Sequence, residues 1–79
     1  MISILFFGRL GDFAKNAPRT VKASTPAQIR ELLTIKHPAL AKELSQPQVL
    51  VSVNQMIVGW EQPLMDGSEV AFLPPVTGG

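Results

Sequence analysis

The chain has 79 residues, of which 46% are hydrophobic and 16% charged, so it is expected to form one folded domain with a modest core. It has no cysteine and one histidine, which excludes a disulfide framework, a zinc–thiolate site, a thiol nucleophile and a multi-histidine metal cluster. The formal net charge is +1 and the basic residues are scattered, so the basic face of a nucleic-acid-binding protein is not expected.

The start of the chain predicts a β-hairpin. A β-branched and aromatic run from Ile2 to Phe7 predicts a strand that Gly8 ends, and Thr20 to Ala23 predicts the returning strand. Between them we expect a connection from Gly8 to Pro18, with a short helical turn near Leu10 to Lys15.

A strong helix-start signal follows. Thr25 offers an N-cap hydroxyl, Pro26 takes the first helical position, and Gln28 can reach back to the cap, which together predict a capping box. Ile29, Leu32 and Leu33 then predict one buried stripe.

Two prolines divide the helical region. Pro38 disfavours helical geometry at the residue before it, so the first helix is predicted to stop near Lys36. A second short helix is predicted from Pro38 to Leu44, with Leu40 and Leu44 on one face.

The second half of the chain predicts three strands. They span Val49 to Val53, Met56 to Trp60 and Glu69 to Leu73, with turns at Asn54-Gln55 and Asp66-Gly67. The order β-β-α-(α)-β-β-β predicts an α+β fold of β-grasp (ubiquitin-like) layout, in which one main helix packs on one face of a mixed sheet. Residues 1–73 would form this domain, and residues 74–79 an extended, flexible C-terminal tail with a Gly-Gly end.

Strand alternation predicts a second apolar face. Ser3 and Glu69 mark the sides of the first and last strands that face away from the helix. The uncovered face would then hold these apolar side chains: Leu5, Phe7, Leu50 and Leu73. Such a patch favours a partner surface, and the alternative is that these residues are merely half-buried in the sheet.

The tail offers an unusual reactive group. Six residues, Pro74 to Gly79, reach about 20 Å when extended, and two prolines stiffen their base. Gly78 and Gly79 lack a Cβ, so the end could thread a channel too narrow for side chains. The α-carboxylate of Gly79 is ionised at neutral pH and would react only after activation, for instance as an acyl-adenylate.

No sequence feature predicts membrane association. The apolar residues 1–8 lack the basic region of a signal peptide, and no segment approaches the ~20 apolar residues that span a bilayer. We therefore expect a cytoplasmic protein. The single tryptophan, Trp60, is expected to pack in the fold and not to hold a ligand.

The whole chain resembles the ubiquitin-like sulfur carriers, and among them the molybdopterin synthase small subunits. The resemblance lies in the opening strand Ile2 to Phe7, in Val53-Asn54-Gln55, and in the closing run from Pro63 to Gly79. That run ends in the pattern D-G-x-E-V-A-F-x-P-P-V-x-G-G. Its double proline is usually absent from the related thiamine-pathway carriers.

The resemblance implies a two-stage role. A ubiquitin-activating-type enzyme would use ATP to adenylate Gly79, and a sulfurtransferase or persulfide would convert the terminus to a thiocarboxylate. The tail would then enter the large synthase subunit, within a heterotetramer, and give its sulfur to precursor Z. The chain would be a non-catalytic sulfur donor that binds no cofactor or metal by itself.

The resemblance also implies roles for individual residues. Gly79 would be modified and Gly78 would be its slender neighbour, while the hydrophobic positions Phe7, Ile57 and Leu73 would dock to the partners. The tail positions that would contact partners are Pro74, Pro75, Val76 and Thr77. In the loop from Gly8 to Phe13, Arg9 is the only basic residue. Members of the family often have their basic residue at a later position in this loop.

Three alternatives remain at this point. The chain could be a thiamine-pathway sulfur carrier, a ubiquitin-like modifier that joins Gly79 to lysines, or a plain binding module with a passive tail.

Overall fold

The computed structural model describes residues 1–74, in which five strands form one mixed sheet. The strands are β1 (Ile2–Phe6), β2 (Thr20–Val21), β3 (Leu50–Val53), β4 (Met56–Val58) and β5 (Glu69–Leu73), and the helices are α1 (Leu10–Phe13), α2 (Pro26–Lys36) and α3 (Pro38–Leu44). The strand order is β2-β1-β5-β3-β4; β1 and β5 are parallel, and the other neighbours are antiparallel. The predicted α+β fold and hairpin are confirmed. Among residues 1–74, no helix is long and apolar enough to cross a membrane.

The start of α2 follows the predicted capping pattern with one difference. The hydroxyl of Thr25 accepts a hydrogen bond from the Gln28 N–H at 3.1 Å, as expected for an N-cap. The Gln28 side chain accepts from the N–H of Ser24, one residue before the cap. The helix ends at Lys36 as predicted, because Pro38 follows so closely.

The buried stripe of α2 differs from the prediction at Leu32. Ile29 and Leu33 are buried, whereas 43% of Leu32 is exposed. At 3.6 residues per turn, Pro26, Ile29 and Leu33 fall within about 60° of one another around the helix axis. Leu32 lies about 60° further round than Ile29, on the side away from Pro26. Pro26 therefore takes the third buried position.

The core lies between the helices and the inner face of the sheet. Its centre is Phe72 of β5, which is fully buried and stacks against Phe6 and Trp60, each with ring centroids 5.5 Å away. The Arg30 guanidinium of α2 lies 4.4 Å from the centre of the Trp60 ring. The packing role predicted for Trp60 is confirmed.

Several strands are shorter than predicted. β1 ends at Phe6, and β2 ends at Val21 instead of Ala23. β3 begins one residue later than predicted, at Leu50. β4 ends at Val58, since Trp60 leaves the ladder to stack on the core and accepts the N–H of Ala27.

Both predicted turns are present. Asn54 and Gln55 have φ values of 50° and 71°, the pair of left-handed residues typical of a tight hairpin turn. Gly67 has a φ of 89°, which explains the glycine at that position of the second turn.

Candidate docking face and tail exit

The outer face of the sheet holds a row of side chains that crosses four strands. Leu5 of β1 pairs with Ala71 of β5, which pairs with Ser52 of β3, and Ser52 pairs with Ile57 of β4. Since paired residues point to the same side of a sheet, these four side chains lie together. Ile57 is the last residue of this row, and its role as a docking residue was predicted only from the family resemblance.

A second row lies beside the first. Leu50 of β3 pairs with Leu73 of β5. Phe7 follows β1 directly and donates its N–H to the Phe72 carbonyl at 3.0 Å, which brings it beside Leu73. The predicted residues Phe7, Leu50 and Leu73 therefore share one face with Leu5.

The two rows form a continuous apolar surface, here called the apolar patch. Its apolar members are Leu5, Phe7, Leu50, Ile57, Ala71 and Leu73, and the polar residue Ser52 lies between Ala71 and Ile57. The exposed fractions of the large side chains are 39% for Leu5, 47% for Phe7, 43% for Leu50 and 59% for Ile57. Ala71 and Ser52 are buried, because their short side chains lie below those of their neighbours. The patch thus has a low centre and a higher apolar margin, a shape suited to contact with another protein.

One polar pair borders the apolar patch towards the start of β5. Asn54 donates its N–H to the Glu69 carbonyl at 2.8 Å, and its side chain accepts the Glu69 N–H at 2.9 Å. The turn residue Asn54 thereby fixes the register between the β3–β4 hairpin and β5. Sequence reasoning identified the turn and missed this bond. The signal available was an asparagine at a left-handed position, where its amide can reach a neighbouring main chain.

The tail leaves the fold beside the apolar patch. Pro74 follows Leu73, and its ring lies against Gly8, where an added Cβ would come within 2.8 Å of the Pro74 Cγ. Pro74 is thus the one tail position predicted for partner contact that falls within the described residues. The others, Pro75, Val76, Thr77, Gly78 and Gly79, lie outside them, so their roles and the domain boundary after Leu73 stay predictions.

Arg9 belongs to the fold as well as to the surface. Its guanidinium pairs with the Glu43 carboxylate of α3 at 3.2 Å, and the Glu43 side chain is largely buried. This ion pair ties the start of α1 to α3. The side chain of Arg9 is still 65% exposed, so the pairing leaves much of it accessible beside the loop that follows Phe7.

Basic side chains lie beside the apolar patch, since Lys15 and Arg19 line a cavity together with Leu5 and Phe7. At the other end of β1, the Asp66 carboxylate accepts a hydrogen bond from the Met1 ammonium and lies beside its charge, which lowers the pKa of this carboxyl below its ordinary value. This pair lies near the start of β1, whereas Gly8 lies beyond its end. In the part of the chain that the structure describes, no three His, Asp or Glu side chains are placed to hold a metal ion.

Comparison with known proteins gives a family match over nearly the whole chain. The model of the ThiS family matches residues 4–79. The molybdopterin synthase sulfur carrier subunit of Escherichia coli strain K12 is 37% identical over 81 residues, which is 100% of both chains.

Solved structures share the fold. SAMP1 from Haloferax volcanii has a TM-score of 0.74 at 24% identity, over 99% of this chain and 98% of that one. A chain in the complex of subunits 1 and 2 of molybdopterin-converting factor from Helicobacter pylori 26695 has a TM-score of 0.65 at 24% identity, over 99% and 97%. At these identities the two matches establish a common architecture.

Proposed function

This chain belongs to the ThiS family, and we propose that it is a sulfur carrier of molybdopterin synthesis that holds sulfur as a thiocarboxylate on Gly79. The family resemblance drawn from the sequence is confirmed by the full-length match. The name of the Escherichia coli relative favours the molybdopterin pathway over the thiamine pathway.

The observation that best supports this function is the course of β5. This strand lies between β1 and β3, in the middle of the sheet. Its last residue, Leu73, belongs to the apolar patch, and the next, Pro74, begins the tail. A protein that covers the patch would therefore meet the tail where it leaves the fold.

The chemistry suits a terminus better than a side chain. The sequence has no cysteine, so no side-chain thiol can carry the sulfur as a persulfide. A main-chain carboxylate is a poor electrophile while it is ionised. Adenylation by an activating enzyme that consumes ATP makes its carbonyl carbon reactive, and AMP leaves when a sulfur atom takes its place.

Three partners follow from this chemistry. The large synthase subunit binds the apolar patch through Phe7, Ile57 and Leu73 and receives the tail. A ubiquitin-activating-type enzyme adenylates Gly79, and a sulfurtransferase supplies the sulfur. The chain itself binds no cofactor, and these steps take place in the cytoplasm.

Intact-mass spectrometry tests the proposal. The chain is incubated with the adenylating enzyme, a sulfurtransferase, a sulfur source and ATP, and its mass should rise by one oxygen-to-sulfur exchange. The exchange should localise to Gly79, and adding the large subunit and precursor Z should yield molybdopterin. An unchanged mass, with an enzyme mixture that modifies another carrier in parallel, would contradict the proposal.

Deletion of Gly79 is the matched control. The shortened chain should keep its fold and lose both the mass change and molybdopterin formation. Isopeptide-linked conjugates in place of the thiocarboxylate would identify a protein modifier. Rescue of thiamine synthesis but not of molybdoenzymes would identify a thiamine-pathway carrier, and full activity without Gly78 and Gly79 would indicate a passive tail.

A further inference from the structure

We propose that Gly8 is a positioning residue for the tail, because it leaves the space that the Pro74 ring occupies and so sets where the tail leaves the sheet. The inference rests on the proposed function, since its consequence is measured as sulfur transfer.

The contact between Gly8 and Pro74 leaves no room for a side chain. A Cβ at Gly8 would lie 2.8 Å from the Pro74 Cγ and 3.6 Å from its Cδ, and real Cβ atoms essentially never approach another heavy atom within 3.0 Å. Gly8 also has a φ of +57°, a left-handed conformation that most other residues rarely adopt. Close approach and backbone conformation thus independently favour glycine.

The main chain around Gly8 is held on both sides. Phe7 donates its N–H to the Phe72 carbonyl of β5, and the Gly8 carbonyl accepts the Gly11 N–H at 3.0 Å, at the start of α1. Because β5 and α1 hold this segment, an added side chain at Gly8 would displace the Pro74 ring more readily than the segment itself.

A displaced Pro74 would redirect the tail. The ring of a proline fixes its own φ, so the position of the ring also orients the main chain that follows it. In catalysis, a misplacement of about 1 Å can reduce a rate by ~10²-fold. The Gly8–Pro74 contact is therefore expected to affect the rate of sulfur transfer from Gly79 more than the stability of the fold.

The first test compares the same substitution at two glycines. Asparagine tolerates left-handed φ values, so Gly8→Asn adds mainly the steric conflict. Gly67 has a φ of +89°, and an added Cβ there would meet nothing within 4 Å, which makes Gly67→Asn the matched control. Single-turnover sulfur transfer is measured from pre-formed thiocarboxylate with saturating large subunit.

We expect Gly8→Asn to slow transfer about 10- to 100-fold and Gly67→Asn to leave the rate within about twofold of wild type. The midpoints of thermal unfolding of the two variants should be similar. Equal rates for Gly8→Asn and wild type would overturn the inference. Absence of transfer from the wild-type chain would instead overturn the proposed function.

A double-mutant cycle with Pro74→Ala separates steric conflict from backbone strain. Pro74→Ala alone should slow transfer, because it removes the ring that packs against Gly8. Alanine also lacks the Cγ and Cδ atoms that an added Cβ at Gly8 would meet, so in this background Gly8→Asn should reduce the rate by less than about a further twofold. Nuclear Overhauser effects between the Gly8 α protons and the Pro74 γ protons should be present in the wild type and lost in Gly8→Asn. An equal loss from Gly8→Asn in both backgrounds, or wild-type transfer by Pro74→Ala, would contradict the inference.

Discussion

The two faces of the sheet are built from similar residues and have different surroundings. On the inner face, Ile4, Val51, Val70 and Phe72 are buried at 3% exposure or less. On the outer face, the large side chains of the apolar patch outside β5 are exposed by 39% or more. Helices α2 and α3 contribute to the core that covers the inner face. Among residues 1–74, no helix covers the outer face.

This difference separates stability from recognition. Apolar area removed from water stabilises the fold by about 25 cal/mol per Å². The inner face contributes this free energy within the chain, whereas most of what the outer face can contribute is realised only when a partner binds. Substitutions on the two faces should therefore affect different measurements.

The largest expected effect compares two phenylalanines. Phe72→Ala opens a cavity in the core beside Phe6 and Trp60 and should lower the free energy of unfolding by about 3–5 kcal/mol. Phe7→Ala removes a half-exposed side chain and should cost less than about 1 kcal/mol. Urea unfolding of both variants measures the difference, and equal losses would show that the outer face is as important for stability as the core.

The second prediction compares two exposed isoleucines. Ile57→Ser in the apolar patch should weaken binding of the large synthase subunit at least about tenfold, or ~1.4 kcal/mol. Ile35 on α2 is 77% exposed but lies outside the patch, so Ile35→Ser should leave the affinity unchanged. Isothermal titration calorimetry gives both values. Equal weakening would mean that exposed apolar area, and not this face, determines binding.

The third prediction concerns the helix that covers the inner face. Thr25→Ala removes the hydroxyl that accepts the Gln28 N–H and should cost about 1 kcal/mol of stability. Affinity for the large subunit should stay constant, because α2 does not contribute to the apolar patch. A substantial loss of affinity in this variant would show that the two faces are coupled.

The smallest effect is expected at the margin of the core. Arg30→Ala removes the guanidinium over the Trp60 ring and should cost about 0.5–1 kcal/mol. Since Trp60 is the only tryptophan, its fluorescence reports the change directly, and the emission should shift to longer wavelength as water reaches the ring. Unchanged emission and stability would mean that the contact with Arg30 does not protect the inner face.

Local signals predicted the elements wherever a few neighbouring residues decide the structure. The cap at Thr25, the stop at Pro38 and the turn at Asn54 each depend on hydrogen bonds or steric contacts within a few residues. The end of β4 was predicted two residues too late, because Trp60 is drawn to Phe72, which lies on another strand.

The part of the candidate site that depends on local sequence pattern could also be predicted. Alternation along single strands identified Leu5, Phe7, Leu50 and Leu73 as outward-facing. It did not identify Ala71 and Ser52 as the low centre of the apolar patch, since that depends on the size of side chains on adjacent strands. Ile57 required the family resemblance, because the short β4 carries too few residues for its inward and outward sides to be distinguished.

The sequence by itself predicted the order of the helices and strands and the outward positions of Leu5, Phe7, Leu50 and Leu73, and it led to the expectation that Gly79 carries the chemistry. Only the tertiary structure decided that β5 lies between β1 and β3, which brings Leu73 beside Phe7 and Pro74 onto Gly8. The physical reason is that alternation orients side chains within a strand, whereas strand order and register depend on contacts between distant segments. The position from which the tail leaves the fold depends on one such contact, between Gly8 and Pro74.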